Sequence, residues 1–297
     1  MTKIIGFISE KGGTGKTTSC YHIAVALTRY HKKKVLVVDA DYQRGGITGR
    51  FFPDMIESFG SEDNSRRTLF HHFQQLYSAT PKNLQIDILP YKKWWGKIDV
   101  IAADSRLSSV STDKLPSSNN IRANNSALLE HLQCIHEARE NIKANYDYIL
   151  IDSHPEVSDV LRSIIYASDY CVSPFKLDRQ SSIGVATVSA AINNVNDDVQ
   201  VLQNFLESAS GYLPTQFSGS IGMMAREWDQ ELKQSEKLEY RKLLRTSGVF
   251  KHYVTEGDGL RQAAAQRIPV YDLSFANAEK QAQQFRNVTK EIIAKCP

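Results

Sequence analysis

The stretch "SEKGGTGKTT" (Ser9 to Thr18) follows an apolar run, "KIIGFIS", and opens a segment, "KTTSCYHIAVALTRY", in which Ile23, Ala24, Leu27 and Tyr30 recur at helical spacing. The order is therefore strand, glycine loop, helix. A phosphate loop of pattern G-x-x-x-x-G-K-[ST] requires that context. Gly15, Lys16 and Thr17 supply the end of the pattern. Glu10 stands where its first glycine belongs, and a second lysine, Lys11, follows at once.

Such a loop suits nucleotide phosphates for a physical reason. The backbone N–H groups of Gly12, Gly13, Thr14, Gly15, Lys16, Thr17 and Thr18 can converge on one concavity, at the positive end of the following helix. Glycine lets the backbone approach a phosphate closely. Lys16 is expected to neutralise the β- and γ-phosphates and Thr17 to place its hydroxyl on Mg²⁺, so ATP and Mg²⁺ are the expected ligands.

Two further runs end in carboxylates. "KVLVVDAD" (Lys34 to Asp41) is a continuous apolar strand, as expected when both faces of a sheet are covered. Its Asp39 and Asp41 lie two apart and share a face. One carboxylate can hold metal-bound water, a role assigned to Asp39, and the other can orient the attacking water, assigned to Asp41, which with Lys16 is expected to act in catalysis. "YDYILID" (Tyr146 to Asp152) delivers Asp152 toward the metal, the form of the second P-loop signature. Capping or turn duty is the structural alternative for all three acids.

The remaining strands are expected at "NLQIDILP" (Asn83 to Pro90), "DYCVSPF" (Asp169 to Phe175), "SGSIGMM" (Ser218 to Met224) and, at an edge, "VFKHYV" (Val249 to Val254). Helices are expected over 126–144, 181–195, 226–245, 259–266 and 277–294, and irregular structure over 54–67 and 105–126. Alternation of this kind predicts an α/β fold with a doubly wound, mostly parallel sheet flanked by helices. Ligands of such sheets sit at the carboxyl ends of the strands.

The chain has 297 residues, 41% of them hydrophobic, which suits one large domain over 1–297. A net charge of +3 does not announce nucleic acid, so a basic surface must be local. Cys20, Cys134, Cys171 and Cys296 form no CxxC pair and read as reduced thiols of a cytoplasmic protein. No run is long and apolar enough to span a membrane, and Glu10 and Lys11 come too early for a signal peptide. The histidines show no metal-ligand spacing.

"KGGTGKTT", "VLVVDADYQ" and "YDYILID", in this order, resemble the deviant Walker family of ParA and MinD ATPases. "IPVYDL" (Ile268 to Leu273) is similar to that family's late segment near the adenine, so Met224, Pro269 and Val270 are the implied base contacts, with Met223 beside them. The resemblance implies an ATP-dependent sandwich homodimer, in which Lys11 reaches across to the partner's phosphates. A cation supplied by a second subunit couples ATP state to dimerisation. The sequence departs from the family at Tyr42, where proline is usual, at "DSHPE" with its lone Pro155, at "QRGGITG", and in the long interval from Asp41 to Asp152. These departures point to a plasmid or otherwise divergent member.

Partition ATPases of this family bind nonspecific DNA and are stimulated by a ParB-like adaptor. Lys237, Arg241 and Arg245 fall at i, i+4 and i+8 on one helix face, with Lys242 and Lys251 nearby. Arg267, Arg286 and Lys290 are candidates to extend that surface toward phosphates. A solvated helix face is the plain alternative. The C-terminal segment lacks the bulky apolar and basic cluster of a membrane anchor. No separate N-terminal helix-turn-helix domain is expected, and the implied location is the nucleoid. "YKKWWGK" (Tyr91 to Lys97) reads as one buried and one covering ring at a sheet edge, or as a stacking surface. A MinD-like membrane ATPase, a cargo positioner and a metabolic P-loop synthetase stay open as alternatives.

Overall fold

The structure, a computed structural model, describes residues 2–9, 11–57, 59–60, 66–78, 85–140, 142–176, 181–207, 212–224, 234–245 and 248–297. Eight strands form one sheet: β1 (Lys3–Phe7), β2 (Val35–Ala40), β3 (Leu89–Lys93), β4 (Gly96–Ile101), β5 (Tyr148–Ser153), β6 (Tyr170–Lys176), β7 (Gln216–Met224) and β8 (Val254–Thr255). The order across the sheet is β3-β4-β2-β5-β1-β6-β7-β8. All neighbours are parallel except the β3–β4 hairpin. The α-helices are α1 (Lys16–His31), α2 (Ile47–Phe51), α3 (Leu69–Leu76), α4 (Ile121–Glu140), α5 (Asp159–Ala167), α6 (Ser181–Leu206), α7 (Gln234–Arg245), α8 (Asp258–Gln266) and α9 (Ala276–Lys295). This is the doubly wound, mostly parallel α/β fold of a P-loop NTPase.

Strand alternation divides the core into two layers. Ile5, Phe7, Val35, Val37 and Leu150 face one side, where α1 and α9 contribute Tyr21, Ile23, Phe285 and Val288. Ile4, Leu36, Val38, Ile149 and Ile151 face the other, against Leu132, Ile164 and Ile192 of α4, α5 and α6. Among the described residues no helix is long and apolar enough to cross a membrane.

Some boundaries differ from expectation. The strand expected over 83–90 begins only at Leu89; residues 85–88 are irregular, and 83 and 84 lie outside the described residues. Register with β4 starts at Leu89 opposite Val100, and the hairpin then runs on through Lys93. The edge strand expected over 249–254 shrinks to Val254–Thr255 plus a single bridge at Val249. The cause is a competing acceptor: Lys251 and His252 both donate their backbone N–H groups to the Glu291 carboxylate of α9. The region expected to be irregular over 105–126 holds two 3₁₀ turns and the first residues of α4. α6 runs on to Leu206, beyond the expected end at 195, because Val195, Val199 and Leu202 keep its apolar stripe buried. Of the helix expected over 226–245, α7 is the described part, and 226–233 lie outside the described residues.

Candidate active site

The loop between β1 and α1 is held by its own polar groups. Ser9 Oγ lies 2.9 Å from Thr14 Oγ1 and donates to the Lys11 carbonyl at 2.9 Å. Gly13 and Gly15 take φ of 72° and 100°, where a side chain would be strained. At Gly12 and Gly13 an added Cβ would meet nothing within 4 Å, so the rim of the loop is open to a ligand. Lys16 opens α1 and is buried at 6% exposure, its Nζ 3.5 Å from the Lys11 carbonyl oxygen. Burial lowers its pKa, while Asp152 and Asp41 pull the other way. Lys11 is exposed at the mouth.

The carboxylates arrive on neighbouring strands. β2 and β5 are in parallel register, with Asp39 opposite Asp152 and Phe7 of β1 opposite Asp152 on its other side. Both acids therefore stand at the carboxyl ends of their strands, level with the start of the glycine loop. Asp39 is fully buried and accepts from the Asp41 N–H at 3.1 Å and from the Thr48 N–H and hydroxyl at 2.8 and 2.6 Å. Burial nonetheless raises it to about 7. Asp152 is also fully buried, and neither of its carboxylate oxygens has a hydrogen-bond partner among the described residues. Burial first, then the Asp39 charge, push its pKa well up, and the nearby Thr17 hydroxyl and Lys16 only partly offset them. Asp41 accepts from the Gln43 N–H at 2.9 Å, and burial raises it too.

This donor set fits Mg²⁺. A hard cation of that kind takes one or two carboxylates and a hydroxyl from the protein and fills its remaining positions with phosphate and water. The orphaned oxygens of Asp152, beside Thr17 and Asp39, offer that. Among the described residues there is no group of three or more His, Cys, Asp or Glu that could hold a metal ion.

A groove next to the loop is lined by Gly13, Gly15, Thr18, Met223, Glu256, Gly257, Leu260, Arg261 and Ala264. Met223 belongs to it, its side chain about 3.1 Å from where a Gly15 Cβ would stand. Met224 does not: strand alternation turns it to the other face, where it is buried with Phe175 and Val249. Pro269 and Val270 are also buried outside this groove. The Val270 N–H instead donates to His22 Nε2 at 3.1 Å, and His22 Nδ1 lies 2.8 Å from the Thr18 carbonyl oxygen. The late segment thus braces the first turns of α1 from behind.

Three residues near the site escaped the sequence reading. Thr48 links Asp39 to the Ala103 N–H at 2.9 Å, tying the ends of β2 and β4 together. Arg50 of α2 donates to Thr18 Oγ1 at 3.3 Å and lies 5.8 Å from the Tyr21 ring centroid. His154 is buried against Tyr42, ring centroids 4.6 Å apart, and burial holds it neutral with a pKa of about 4. A polar residue directly after an acid-tipped strand was the available signal for His154. Arg50 and Thr48 carried none, because α2 is only five residues long.

The basic candidates scatter over several elements. Lys237, Arg241, Lys242 and Arg245 lie on α7, the last three exposed and Lys237 half-buried. Lys251 is exposed before β8, and Arg267 is exposed at the end of α8 with φ 55°. Arg286 and Lys290 lie one turn apart on α9. Arg286 is half-buried, its guanidinium 5.3 Å from the centroid of the Tyr30 ring of α1, while Lys290 is exposed.

Comparison with known proteins agrees with this geometry. The AAA_31 family model, described as an AAA domain, matches residues 2–206. A virulence plasmid ParA family protein of Chlamydia psittaci, pGP5-D, is 24% identical over 98% of this chain and 94% of its own length. A solved McdA–ATP complex from Cyanothece has a TM-score of 0.71 at 16% identity, covering 98% of this chain and 96% of that one. The structure of pNOB8 ParA bound to nonspecific DNA has a TM-score of 0.62 at 18% identity, covering 99% and 98%. At these identities the solved structures speak for the fold.

Proposed function

The chain belongs to the AAA_31 family, among the ParA/MinD-type P-loop ATPases, and on that premise we propose that it is a slow Mg-ATPase that dimerises on ATP, binds nonspecific DNA and drives DNA partition. The observation that carries this reading is the register of Asp39 and Asp152 beside a buried Lys16, with a second lysine, Lys11, exposed at the loop's mouth. A P-loop working alone needs Lys16; the exposed Lys11 is the additional cation.

In this reading the loop N–H groups from Gly12 to Thr18 hold the phosphates, and Lys16 neutralises the β–γ bridge. Thr17 and Asp152 would hold Mg²⁺, with Asp39 beside them. Mg²⁺, when bound, supplies charge neutralisation across the β- and γ-phosphates. Asp39, already hydrogen-bonded to Asp41 and Thr48, also fixes the loop that carries Asp41. Asp41 orients the attacking water; phosphoryl transfer asks for positioning more than for covalent chemistry. Lys11 crosses to the partner's phosphates in a sandwich homodimer. The base lies in the groove between Met223 and α8.

The α7 cations Lys237, Arg241, Lys242 and Arg245 grip DNA phosphates, with Lys251, Arg267 and Lys290 as further contacts. Dimerisation doubles this surface and so makes DNA affinity depend on ATP. A ParB-like adaptor stimulates hydrolysis, and the protein works as one ATPase domain over 1–297, on the nucleoid and without a stable membrane anchor. The test is ATP binding and turnover by Lys16→Ala and Lys11→Ala. The first should lose both. The second should keep ATP binding and lose dimerisation or turnover. Intact turnover in Lys16→Ala would end the ATPase reading, and liposome binding in place of DNA binding would favour a MinD-like track.

A further inference from the structure

The sequence "YKKWWGK" closes the β3–β4 hairpin, where Lys93 pairs with Gly96 across a two-residue turn of Trp94 and Trp95. The two tryptophans part there. Trp95 is buried in the core layer of α1, whereas Trp94 is 80% exposed. The hairpin packs closely on α1: a Cβ at Gly96 would collide with the Thr28 side chain. Arg29 lies 4.8 Å from the Trp94 ring centroid and is itself fixed to Asp272 at 2.7 Å. The indole is thus backed by a cation, with most of its surface in water.

The next three residues of the chain, Trp95, Gly96 and Lys97, line a groove of about 650 Å³. Val35, Trp95 and Tyr146 are among its apolar and aromatic lining, and Lys32, Lys33, Lys34 and Lys97 supply cations. Lys92 and Lys93 are exposed on the hairpin itself. Two nearby acids have partners, Asp99 through its Oδ2 only. Asp99 accepts from Lys97 and from the Tyr146 hydroxyl, and Asp147 takes the Lys34 N–H. Lys32, Lys33 and Lys34 form no side-chain ion pair among the described residues. The groove lies at the amino ends of β4, β2 and β5, the opposite end of the sheet from the glycine loop. It is no part of the nucleotide site.

We infer that this groove and Trp94 together form a binding surface for single-stranded nucleic acid. Unpaired lysines along a groove attract a phosphate backbone. An exposed indole offers a stacking face, which an unpaired base can use and a base already stacked inside a duplex cannot. An acidic peptide would satisfy the lysines and leave the ring without a planar partner. Because the groove is remote from the glycine loop, binding here is independent of ATP, unlike the DNA binding proposed for α7.

The test uses the full-length protein and a random-sequence single-stranded oligonucleotide, followed by tryptophan fluorescence and by anisotropy of a labelled strand. The expected result is quenching, with an affinity that falls with salt at a slope of about −3 for four neutralised phosphates. Trp94→Ala should weaken binding about tenfold and remove the quenching. Lys33→Glu/Lys34→Glu should weaken it further, the series being run without nucleotide, the state in which dimerisation does not double the α7 surface. Trp94 is on the surface, so folding of the variant, checked by circular dichroism, is not at stake. Affinity unchanged in both Trp94→Ala and the lysine reversal would overturn the inference. So would equal affinity for a duplex of the same length, or displacement of the oligonucleotide by a poly-glutamate peptide at equal charge.

Discussion

Asp39 and Asp152 are register partners on adjacent parallel strands, both fully buried, one saturated with hydrogen bonds and the other with none. Two carboxylates so placed cannot both carry charge cheaply. The consequences follow from which one is ionised, and when.

Nucleotide binding with Mg²⁺ should release protons. Asp39 is raised to about 7 and Asp152 is raised as well, so the ligand-free site holds protons near neutrality. A bound cation requires the carboxylates deprotonated. Calorimetry in two buffers of different ionisation enthalpy should therefore show net proton release, and affinity for Mg-ATP should tighten as pH rises through about 7. A pH-independent affinity between 6 and 8 would contradict this.

Asp152→Asn should stabilise the ligand-free chain while abolishing Mg-dependent turnover. The carboxylate gives up no hydrogen bond on replacement. With a folded-state pKa above its unfolded value, it binds a proton that the unfolded chain releases, so its contribution to stability is lost as pH rises. The variant's advantage should grow with pH, reaching about 1 kcal/mol, or ~2 °C in Tm. Thermal melts of both proteins at pH 6 and 8 are the check. A lower Tm for the variant would mean that the charge is structural.

His22→Ala should destabilise by about 2–4 kcal/mol. His22 is buried, stacked on Phe285 at 4.7 Å, and joins the Thr18 carbonyl to the Val270 N–H. Burial lowers its pKa to about 3 from 6.5. Here the sign is opposite: the unfolded chain takes up a proton below pH 6.5 that the folded chain refuses, so this stability is present above 6.5 and lost as pH falls toward 3. Denaturant unfolding at pH 5 and 7.5 should show a smaller difference between wild type and variant at pH 5.

Arg241→Glu/Arg245→Glu should weaken duplex binding in the ATP state and lower the magnitude of its salt slope by about 0.9 for each phosphate that is no longer neutralised. ATP binding should be untouched. A salt series of anisotropy titrations measures both. An unchanged slope would remove α7 from the DNA surface.

The sequence disclosed what is local. Gly15 stands at positive φ where the phosphate-loop pattern puts a glycine, Gly13 takes positive φ within the same loop, and the strand tips at Asp39 and Asp152 fall where the apolar runs end. Neighbouring strands then meet without further instruction, because a parallel sheet buried on both faces admits few registers. What the sequence hid depends on partners far along the chain. β8 is short because Glu291 of α9 captures two N–H groups. Val270 contacts His22 across 248 positions and not the groove. Met223 and Met224 differ only in parity along β7, so a shift of one residue exchanges the groove-facing side chain for the core one. Trp94 and Trp95 separate for a similar reason, at the turn of a hairpin whose position Thr28 helps to fix.

The most direct measurement is binding of a random-sequence duplex with ATP, with ADP and without nucleotide, across a salt series, with Lys11→Ala alongside. The account predicts tight binding only with ATP, steep weakening with salt, and loss of binding in the variant although ATP still binds. Duplex binding that ignores the nucleotide, or that survives unchanged in Lys11→Ala, would contradict it.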